Sequence, residues 1–345
     1  PAAVGAPAGT TAIRVLYTSS DFRTGNPIAV SGTVYVPPGD GTARPIVAWA
    51  HGTTGVASPC APSLARSPGA PLVAGVGDFL KQGWVVTATD YPGLGTAGPH
   101  PYLVGVSEGR AVLDSIRAAR SLRSARAGRT ALIWGHSQGG GAALWAGQLA
   151  HGYASDIELL GVAAAAPASE LEQLIEAQGN SLAAQLIGSL VLWSWSRTLP
   201  GADLDAVTSK DSRKLIDSIA ANCSTGGSSL LGEIPPALLE EATGAIDMKK
   251  LLADPGWSRQ LQANSVPETA SGPPLFIAQG TADVVIHPQV TKDFVGRLCG
   301  LGRKVQFLSL PGATHNQAGT EAAPEVAAWA QGLRDRRSAP STCPG

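Results

Sequence analysis

The chain opens with two segments in which apolar and polar residues alternate, at 11–18 and 28–36. Alternation of this kind predicts β-strands, and the polar stretch with Gly and Pro between them predicts a turn. Together the two segments predict an antiparallel hairpin at the edge of a sheet. Later segments are apolar almost throughout, as expected of strands buried on both faces. Such strands are predicted at 46–50, 84–89, 130–134, 159–166, 274–278 and 305–310.

Segments with helical spacing of apolar residues separate these strands. They lie at 72–82, 107–126, 137–152, 288–298 and 321–334. Strands and helices that alternate in this way predict right-handed crossovers in a mostly parallel sheet with helices on both faces. The predicted fold class is therefore α/β.

One long segment breaks the alternation. From 169 to 271 apolar residues recur at helical spacing, and no run resembles a buried strand. We interpret it as a helical cap inserted into a core of residues 10–168 and 272–336, with a polar tail at 337–345. The most apolar part of the cap, 182–195, contains Gln, Gly and Ser and is too short to span a bilayer.

The composition narrows the function classes. Of the 345 residues 15% are charged, and 25 Lys and Arg against 26 Asp and Glu leave a net charge of −1. Without a basic stripe or an acidic tail, nucleic acid and highly charged substrates have nothing to attract them. We expect a soluble monomer that binds no nucleic acid.

The four cysteines, Cys60, Cys223, Cys299 and Cys343, are scattered through loop-like sequence. No Cys-x-x-Cys pair or His cluster supports a zinc site, and we expect neither metal nor cofactor. Of the three disulfide connectivities we favour Cys60–Cys223 with Cys299–Cys343, since the latter would hold the C-terminus; four free thiols in a cytosolic protein are the alternative. Residues 1–9 resemble the start of a mature secreted chain, and we see no signal peptide.

The strongest chemical signal is Gly135-His136-Ser137-Gln138-Gly139. It lies between a predicted strand and a predicted helix, the setting of a nucleophile elbow, in which a strained turn exposes the serine hydroxyl above the sheet. Strand and helix cross closely at the two glycines, so only tiny residues fit there. A Gly-rich turn without chemistry is the alternative, because the chain contains 42 glycines.

A serine nucleophile needs a base, and the base needs an orienting acid that precedes it in the chain. His315 follows the last predicted strand, in a loop from which it could swing toward Ser137. His151, at a helix end, and His287, before a helix, are weaker candidates for the base.

Asp283 directly follows a predicted strand and is the only carboxylate in its loop. Asp293 lies inside the next helix and suits a surface charge, while Asp90 precedes Ser137 and more simply organises its own Gly-rich loop. We therefore expect Ser137, Asp283 and His315 to form a catalytic triad.

Acyl transfer also requires hydrogen-bond donors for the developing oxyanion, each worth about 3–4 kcal/mol when removed. One expected donor is the backbone N–H of Gln138, at the start of a helix. The other is Thr53, in the turn after the strand at 46–50. His51 lies in the same turn, and we expect it to shape the turn rather than to act as a ligand or base.

These motifs give the chain a resemblance to the α/β-hydrolase family from about residue 28 to 334, and more narrowly to the secretory lipase family of fungal lipase A and actinobacterial relatives. The segments that carry the resemblance are His51-Gly52-Thr53-Thr54-Gly55, Asp90-Tyr91-Pro92-Gly93-Leu94-Gly95-Thr96, His100-Pro101-Tyr102-Leu103-Val104-Gly105 and Gly135-His136-Ser137-Gln138-Gly139-Gly140. The resemblance implies a secreted, disulfide-bonded, metal-free serine esterase or lipase whose cap lines an acyl pocket. The fungal members lack the His-Gly turn, so Thr53 rests on the wider hydrolase pattern.

The expected function is hydrolysis of apolar acyl or aryl esters through an acyl-enzyme on Ser137. The expected substrates are small-molecule, lipid or polyester esters, with transient contact at a lipid interface. Apolar cap residues are expected to supply a pocket or lid, although most of them must form the packing core of the cap: Leu186, Ile187, Leu190, Val191, Leu192, Trp193 and Trp195.

Three other functions fit the same residues. An acyltransferase would use the same triad with another acceptor. A serine peptidase of the same fold would need acidic residues for a peptide terminus, and Glu170, Glu172 and Glu176 offer them, although a solvated helix face explains these residues more simply. A binding protein on an inactive hydrolase scaffold is the third alternative.

Overall fold

A computed structural model describes residues 7–64, 73–224 and 235–344. Residues 1–6, at the expected start of the mature chain, lie outside this part, and so does Leu72, where one helix was expected to begin. The strands are β1 Thr11–Ser20, β2 Pro27–Val36, β3 Arg44–Ala50, β4 Val85–Thr89, β5 Ala127–His136, β6 Glu158–Ala165, β7 Leu275–Gly280 and β8 Val305–Leu310. The helices are α1 Val76–Lys81, α2 Gly105–Ser121, α3 Gln138–Tyr153, α4 Leu171–Gln178, α5 Leu182–Thr198, α6 Leu204–Val207, α7 Lys210–Ala220, α8 Pro236–Ala242, α9 Met248–Ala253, α10 Pro255–Asn264, α11 Pro288–Gly300 and α12 His315–Arg334.

The strands form one sheet in the order β1-β2-β4-β3-β5-β6-β7-β8. β1 and β2 pair antiparallel at the edge, and β2 runs antiparallel to β4. All other neighbours are parallel. The predicted hairpin and the mostly parallel sheet are therefore confirmed. The carboxyl ends of the parallel strands meet at one edge of the sheet, where ligands bind in open α/β folds.

Both faces of this sheet are buried. All seven residues of β3 are buried, and they alternate between two hydrophobic clusters: Ile46 and Ala48 face one, Val47 and Trp49 the other. Helices α2, α3 and α11 cover the first cluster, while α1 and α12 cover the second. This double burial explains why the inner strands are apolar almost throughout instead of alternating with polar residues.

Helices α4 to α10 all lie between β6 and β7, and the described residues of this stretch contain no strand. They pack on one another through side chains that are fully buried, Leu186, Leu190, Leu192 and Trp195 among them. The helical character expected of residues 169–271 agrees with these elements. The bounds of a separate cap stay a prediction.

Two of the expected helix bounds were wrong. The helix expected at 107–126 ends at Ser121, because the chain turns into a 3-10 helix, Arg123–Ala125, and then into left-handed backbone at Arg126 with φ 48°. The helix expected at 321–334 begins instead at His315, where Thr314 caps it together with Gln317. The Thr-x-x-Gln spacing of this capping box is a sequence pattern that would have predicted the helix start.

Two disulfides join distant parts of the chain. Cys60–Cys223 ties the loop after β3 to the segment after α7, and Cys299–Cys343 ties α11 to the C-terminal tail. These are the two pairs favoured from the sequence. The tail also bonds to β8, since the Thr342 N–H donates to the Val305 carbonyl over 2.8 Å.

Within the described ranges, no helix has the length and apolar character needed to cross a membrane.

Candidate active site

Ser137 occupies the sharp turn between β5 and α3. Its backbone is strained, with φ 59° and ψ −121°, a conformation that L-residues rarely adopt. The two neighbouring glycines allow this turn. A Cβ on Gly135 would come within 2.0 Å of the Gly139 carbonyl oxygen, and one on Gly139 within 2.0 Å of the Ala50 carbonyl oxygen. The turn therefore has the geometry of a nucleophile elbow.

His315 and Asp283 line up behind Ser137. His315 Nε2 lies 2.9 Å from Ser137 Oγ, and His315 Nδ1 lies 2.8 Å from Asp283 Oδ2. The side chain of His315 is 12% exposed and that of Asp283 is fully buried. The three residues expected to act together are thus brought into one chain of hydrogen bonds. This arrangement lets His315 accept the serine proton while the carboxylate holds its other nitrogen.

The buried carboxylate of Asp283 has other donors besides His315. The backbone N–H groups of Val285 and Ile286 donate to Oδ1, each over 2.8 Å, and Gln279 donates to Oδ2. Burial alone would raise the pKa of this carboxyl, but the hydrogen bond and charge of His315 with the two backbone donors outweigh it, so the pKa is lowered. Asp283 is therefore the charged partner that an imidazolium needs.

The first turn of α12 fixes the backbone of His315, so this residue is not in a free loop as expected. The ring of His136, the residue before Ser137, donates from Nε2 to the His315 carbonyl oxygen over 2.8 Å. Burial lowers the pKa of His136 to about 3, so its ring is neutral and can hold this contact without adding charge. Sequence reasoning missed this role because His136 occupies the variable position of the Gly-x-Ser motif.

The two expected oxyanion donors come from different turns of the chain. Gln138 is the first residue of α3, where backbone N–H groups have no partner within the helix. Thr53 lies in the turn after β3, and its Oγ1 is 2.7 Å from the hydroxyl oxygen of Tyr102. Tyr102 belongs to one of the segments that carry the family resemblance, but no role was assigned to it from the sequence.

The weaker histidine candidates lie elsewhere. His51 is buried and bonds within its own turn, with Nδ1 2.7 Å from the Gly52 carbonyl oxygen. This agrees with a shaping role. His287 caps α11 by accepting from the Gln289 N–H, and His151 is exposed near the end of α3.

The remaining acidic candidates are also accounted for. Asp293 is exposed and accepts a hydrogen bond from the side chain of Gln289. Asp90 accepts from Ser31 and from the backbone and side chain of Ser63. It therefore joins separate segments, whereas we expected it to organise its own loop.

An apolar cavity opens at Ser137. It encloses about 700 Å³ of space that protein atoms do not fill, its open mouth included. Of the seven cap residues expected to supply a pocket, Ile187 and Val191 line it. They are four residues apart and share one face of α5, while most of the others face the packing core. Further lining residues are Leu103, Leu171, Leu174, Ile175, Leu251, Leu261, Val285 and Ile286.

Gln178 ties the helical segment to the proposed acid. Its side-chain nitrogen donates to the carbonyl oxygens of Val284, over 2.9 Å, and Val285. These two residues follow Asp283 directly.

Within the ranges that the structure covers, no group of three or more His, Cys, Asp or Glu side chains could hold a metal ion.

The sheet, the elbow and the order nucleophile, acid, histidine define the α/β-hydrolase fold. The secretory lipase family matches residues 73–342, and the chain belongs to this family. It is 30% identical over 209 residues to a protein of Mycobacterium tuberculosis described as a probable inactive lipase, covering 56% of this chain and 45% of that protein. It is 24% identical over 327 residues to a secreted triacylglycerol lipase of Malassezia furfur, covering 91% of this chain and 68% of that protein.

The solved structure of lipase A from Candida antarctica shares the fold. It superimposes with a TM-score of 0.76 at 18% identity, covering 97% of this chain and 80% of that chain. The chain spans less than half of the length of the mycobacterial relative.

Proposed function

We propose that this protein is a serine carboxylic ester hydrolase, a lipase or esterase that acts through an acyl-enzyme on Ser137. The observation that carries the proposal is the chain of hydrogen bonds from Ser137 through His315 to Asp283, at 2.9 and 2.8 Å, beside an apolar cavity. His315 takes the serine proton as the hydroxyl attacks the ester carbonyl, and returns it to the leaving alcohol. Hydrogen bonds donated by the backbone N–H of Gln138 and by Thr53 stabilise the negative charge that develops on the carbonyl oxygen.

The second half of the reaction uses the same groups. Water enters when the alcohol has left, and His315 removes its proton as the water oxygen bonds to the acyl carbon. His315 then returns the proton to Ser137 Oγ as the bond between Oγ and the acyl carbon breaks and the acid is released. The secretory lipase family, the secreted relative and the two disulfides support an extracellular location. The expected substrates are apolar acyl or aryl esters, because the cavity wall beside Ser137 offers an acyl chain mostly hydrocarbon contacts.

Two of the three acidic residues that a peptidase could use are already engaged. Glu170 is buried and paired with Arg297, whereas a solvated position was expected for it. Glu172 accepts from Ser258, over 2.7 Å, and from Gln262. Neither residue lines the cavity at Ser137. A peptide amino terminus would therefore find no free carboxylate at these two positions, which favours the esterase.

We expect rapid hydrolysis of p-nitrophenyl butyrate and none of aminoacyl p-nitroanilides, because the described residues of the cavity wall offer hydrocarbon contacts and include no Asp or Glu. The ester releases p-nitrophenol and the anilides release p-nitroaniline, and the absorbance of each coloured product gives its rate. A fluorophosphonate probe should label folded protein at Ser137. Cleavage of the anilides alone would establish a peptidase, and absence of labelling would establish an inactive scaffold like that described for the mycobacterial relative.

The cavity also predicts which residues set the preference for acyl chain length. We expect Ile187→Trp to lower kcat/KM for p-nitrophenyl decanoate at least about tenfold relative to the acetate, since the larger side chain takes space from a long acyl chain. Leu182→Trp is the matched control, because Leu182 begins the same helix, is 38% exposed and does not line the cavity. Equal losses on both esters would show that this cavity does not hold the acyl chain.

A further inference from the structure

Glu108 is a buried acid that bonds to the side chain of Gln138, a proposed oxyanion-hole residue, and the proposed reaction gives it no role. It lies in the first turn of α2 and is 1% exposed. A single oxygen, Oε1, accepts two hydrogen bonds: from the side-chain nitrogen of Gln138 over 2.7 Å and from the backbone N–H of Leu103 over 2.8 Å. Burial of a carboxyl group costs folding free energy unless hydrogen bonds compensate for the lost water. The bonding partners of Glu108 therefore indicate what it holds in place.

The first partner, Gln138, directly follows Ser137 in the chain. Gln138 carries the backbone N–H proposed to receive the oxyanion, and its side chain runs inward to Glu108 and His100. His100 is neutral, since burial lowers its pKa to about 3, and its Nδ1–H donates to the Pro92 carbonyl oxygen over 2.9 Å. His100 Nε2 is therefore an acceptor, which fixes the Gln138 amide with its nitrogen toward Glu108.

The second partner, Leu103, follows the tyrosine whose hydroxyl contacts Thr53. Leu103 has φ 55°, an unfavourable backbone for a branched residue, and its N–H bond to Glu108 helps to hold it there. The preceding residue, Tyr102, places its hydroxyl 2.7 Å from Thr53 Oγ1. Tyr102 and Leu103 both also line the cavity. One carboxyl oxygen thus bonds to Gln138, which carries one proposed oxyanion donor, and to Leu103, next to the tyrosine that contacts the other.

We propose that Glu108 is a positioning residue of the oxyanion hole, holding Gln138 directly and Thr53 through the Tyr102–Leu103 segment. This inference rests on the proposed ester hydrolase function. Donors aligned on the transition state contribute to kcat more than to substrate binding, so loss of Glu108 should affect mainly kcat.

The protonation of Glu108 gives a second readout. Burial raises its pKa to about 8, although the bonds from Gln138 and Leu103 oppose the shift. The other titratable groups around it are His100, which is neutral, and the phenols of Tyr91 and Tyr102, whose pKa values burial raises well above the ordinary range. None of these supplies a positive charge, so ionised Glu108 would oppose the growing oxyanion.

The experiment compares Glu108→Ala and Glu108→Gln with the wild type on p-nitrophenyl butyrate from pH 6 to 10. We expect Glu108→Ala to lower kcat about 10- to 100-fold with KM within threefold. The Gln side chain keeps the acceptor oxygen, so Glu108→Gln should restore kcat at pH 7 to within about threefold of the wild type. Wild-type kcat should fall above pH about 8, and this fall should be absent from Glu108→Gln.

Asp114 provides a matched control. It is another buried carboxylate on α2, bonded to Ser19, Arg117 and Tyr153, and it contacts none of the proposed active-site residues. Asp114→Ala should lower stability and leave kcat unchanged. A purely structural role for Glu108 would give Glu108→Ala the same profile.

Other outcomes would overturn the proposal. Unchanged kcat in folded Glu108→Ala, or an alkaline fall that persists in Glu108→Gln, would do so. If Glu108→Ala does not fold, Gln138→Met takes its place, because it retains the backbone N–H and loses the side-chain link; an unchanged kcat there refutes the proposal equally. A wild type that neither hydrolyses esters nor reacts with a fluorophosphonate would overturn the proposed function, and the inference with it.

Discussion

Ser137→Ala should reduce ester turnover by a factor on the order of 10⁴–10⁶, to the level of background hydrolysis. The change removes the oxygen that would attack the ester carbonyl, and among the described residues no other hydroxyl forms a hydrogen bond with His315 Nε2. Single removal of a serine nucleophile costs as much as removal of a whole triad, because the remaining members have nothing to activate.

The fold should survive this substitution. Ser and Ala both carry a Cβ, so the strain of φ 59° at this position is the same in both proteins. The measurements are kcat for p-nitrophenyl butyrate, labelling by a fluorophosphonate, and the thermal midpoint. Ser115→Ala is the control, since Ser115 is a buried serine on α2 whose hydroxyl donates to the Val112 carbonyl oxygen. Retained turnover in Ser137→Ala would remove Ser137 from the mechanism.

The fold could be predicted well from the sequence because strands buried on both faces of the sheet are apolar almost throughout. Most positions of β6 and β7 are apolar, since a polar residue buried there costs free energy unless it finds a hydrogen-bond partner, as Gln279 does in Asp283. The helix start at His315 was harder to predict. Its capping box depends on Thr314 and Gln317, whereas its apolar period becomes regular only several residues later.

The proposed triad could be predicted because chain order and strand ends restrict the choice to few residues. The groups around it could not be predicted in the same way. Glu108 precedes Ser137 by 29 positions and lies inside a helix, where Glu is ordinarily a solvated residue. Its contact with Gln138 arises only because α2 and α3 pack side by side. Tertiary contacts of this kind have no period and no local motif.

The same limit applies to the cavity. The apolar stripe of α5 predicted an apolar wall, but the side of the stripe that faces Ser137 depends on the rotation of the helix. Ile187 and Val191 line the cavity, and Leu186 and Leu190, one position earlier in each case, are buried in the core. A rotation of 100° per residue separates the two sets, and the sequence alone does not fix its origin.

Asp283→Asn should lower kcat by a factor of about 10⁴ with little change in structure. Asp283 accepts on both oxygens: Oδ1 from the backbone N–H groups of Val285 and Ile286, and Oδ2 from Gln279 and His315. An Asn has one acceptor oxygen and one NH₂ group. Two backbone donors require the oxygen at the Oδ1 position, so the NH₂ group must occupy the position of Oδ2.

That placement reverses the hydrogen bond to His315. The Asn NH₂ would donate to Nδ1, the ring proton would move to Nε2, and Nε2 could no longer accept the proton of Ser137. The loss should be smaller above neutral pH on activated esters, where hydroxide or an ionised serine replaces part of the base function. Circular dichroism and the thermal midpoint check the fold, and Asp293→Asn is the control, because Asp293 is exposed on α11. Activity of folded Asp283→Asn near that of the wild type would show that another group orients His315.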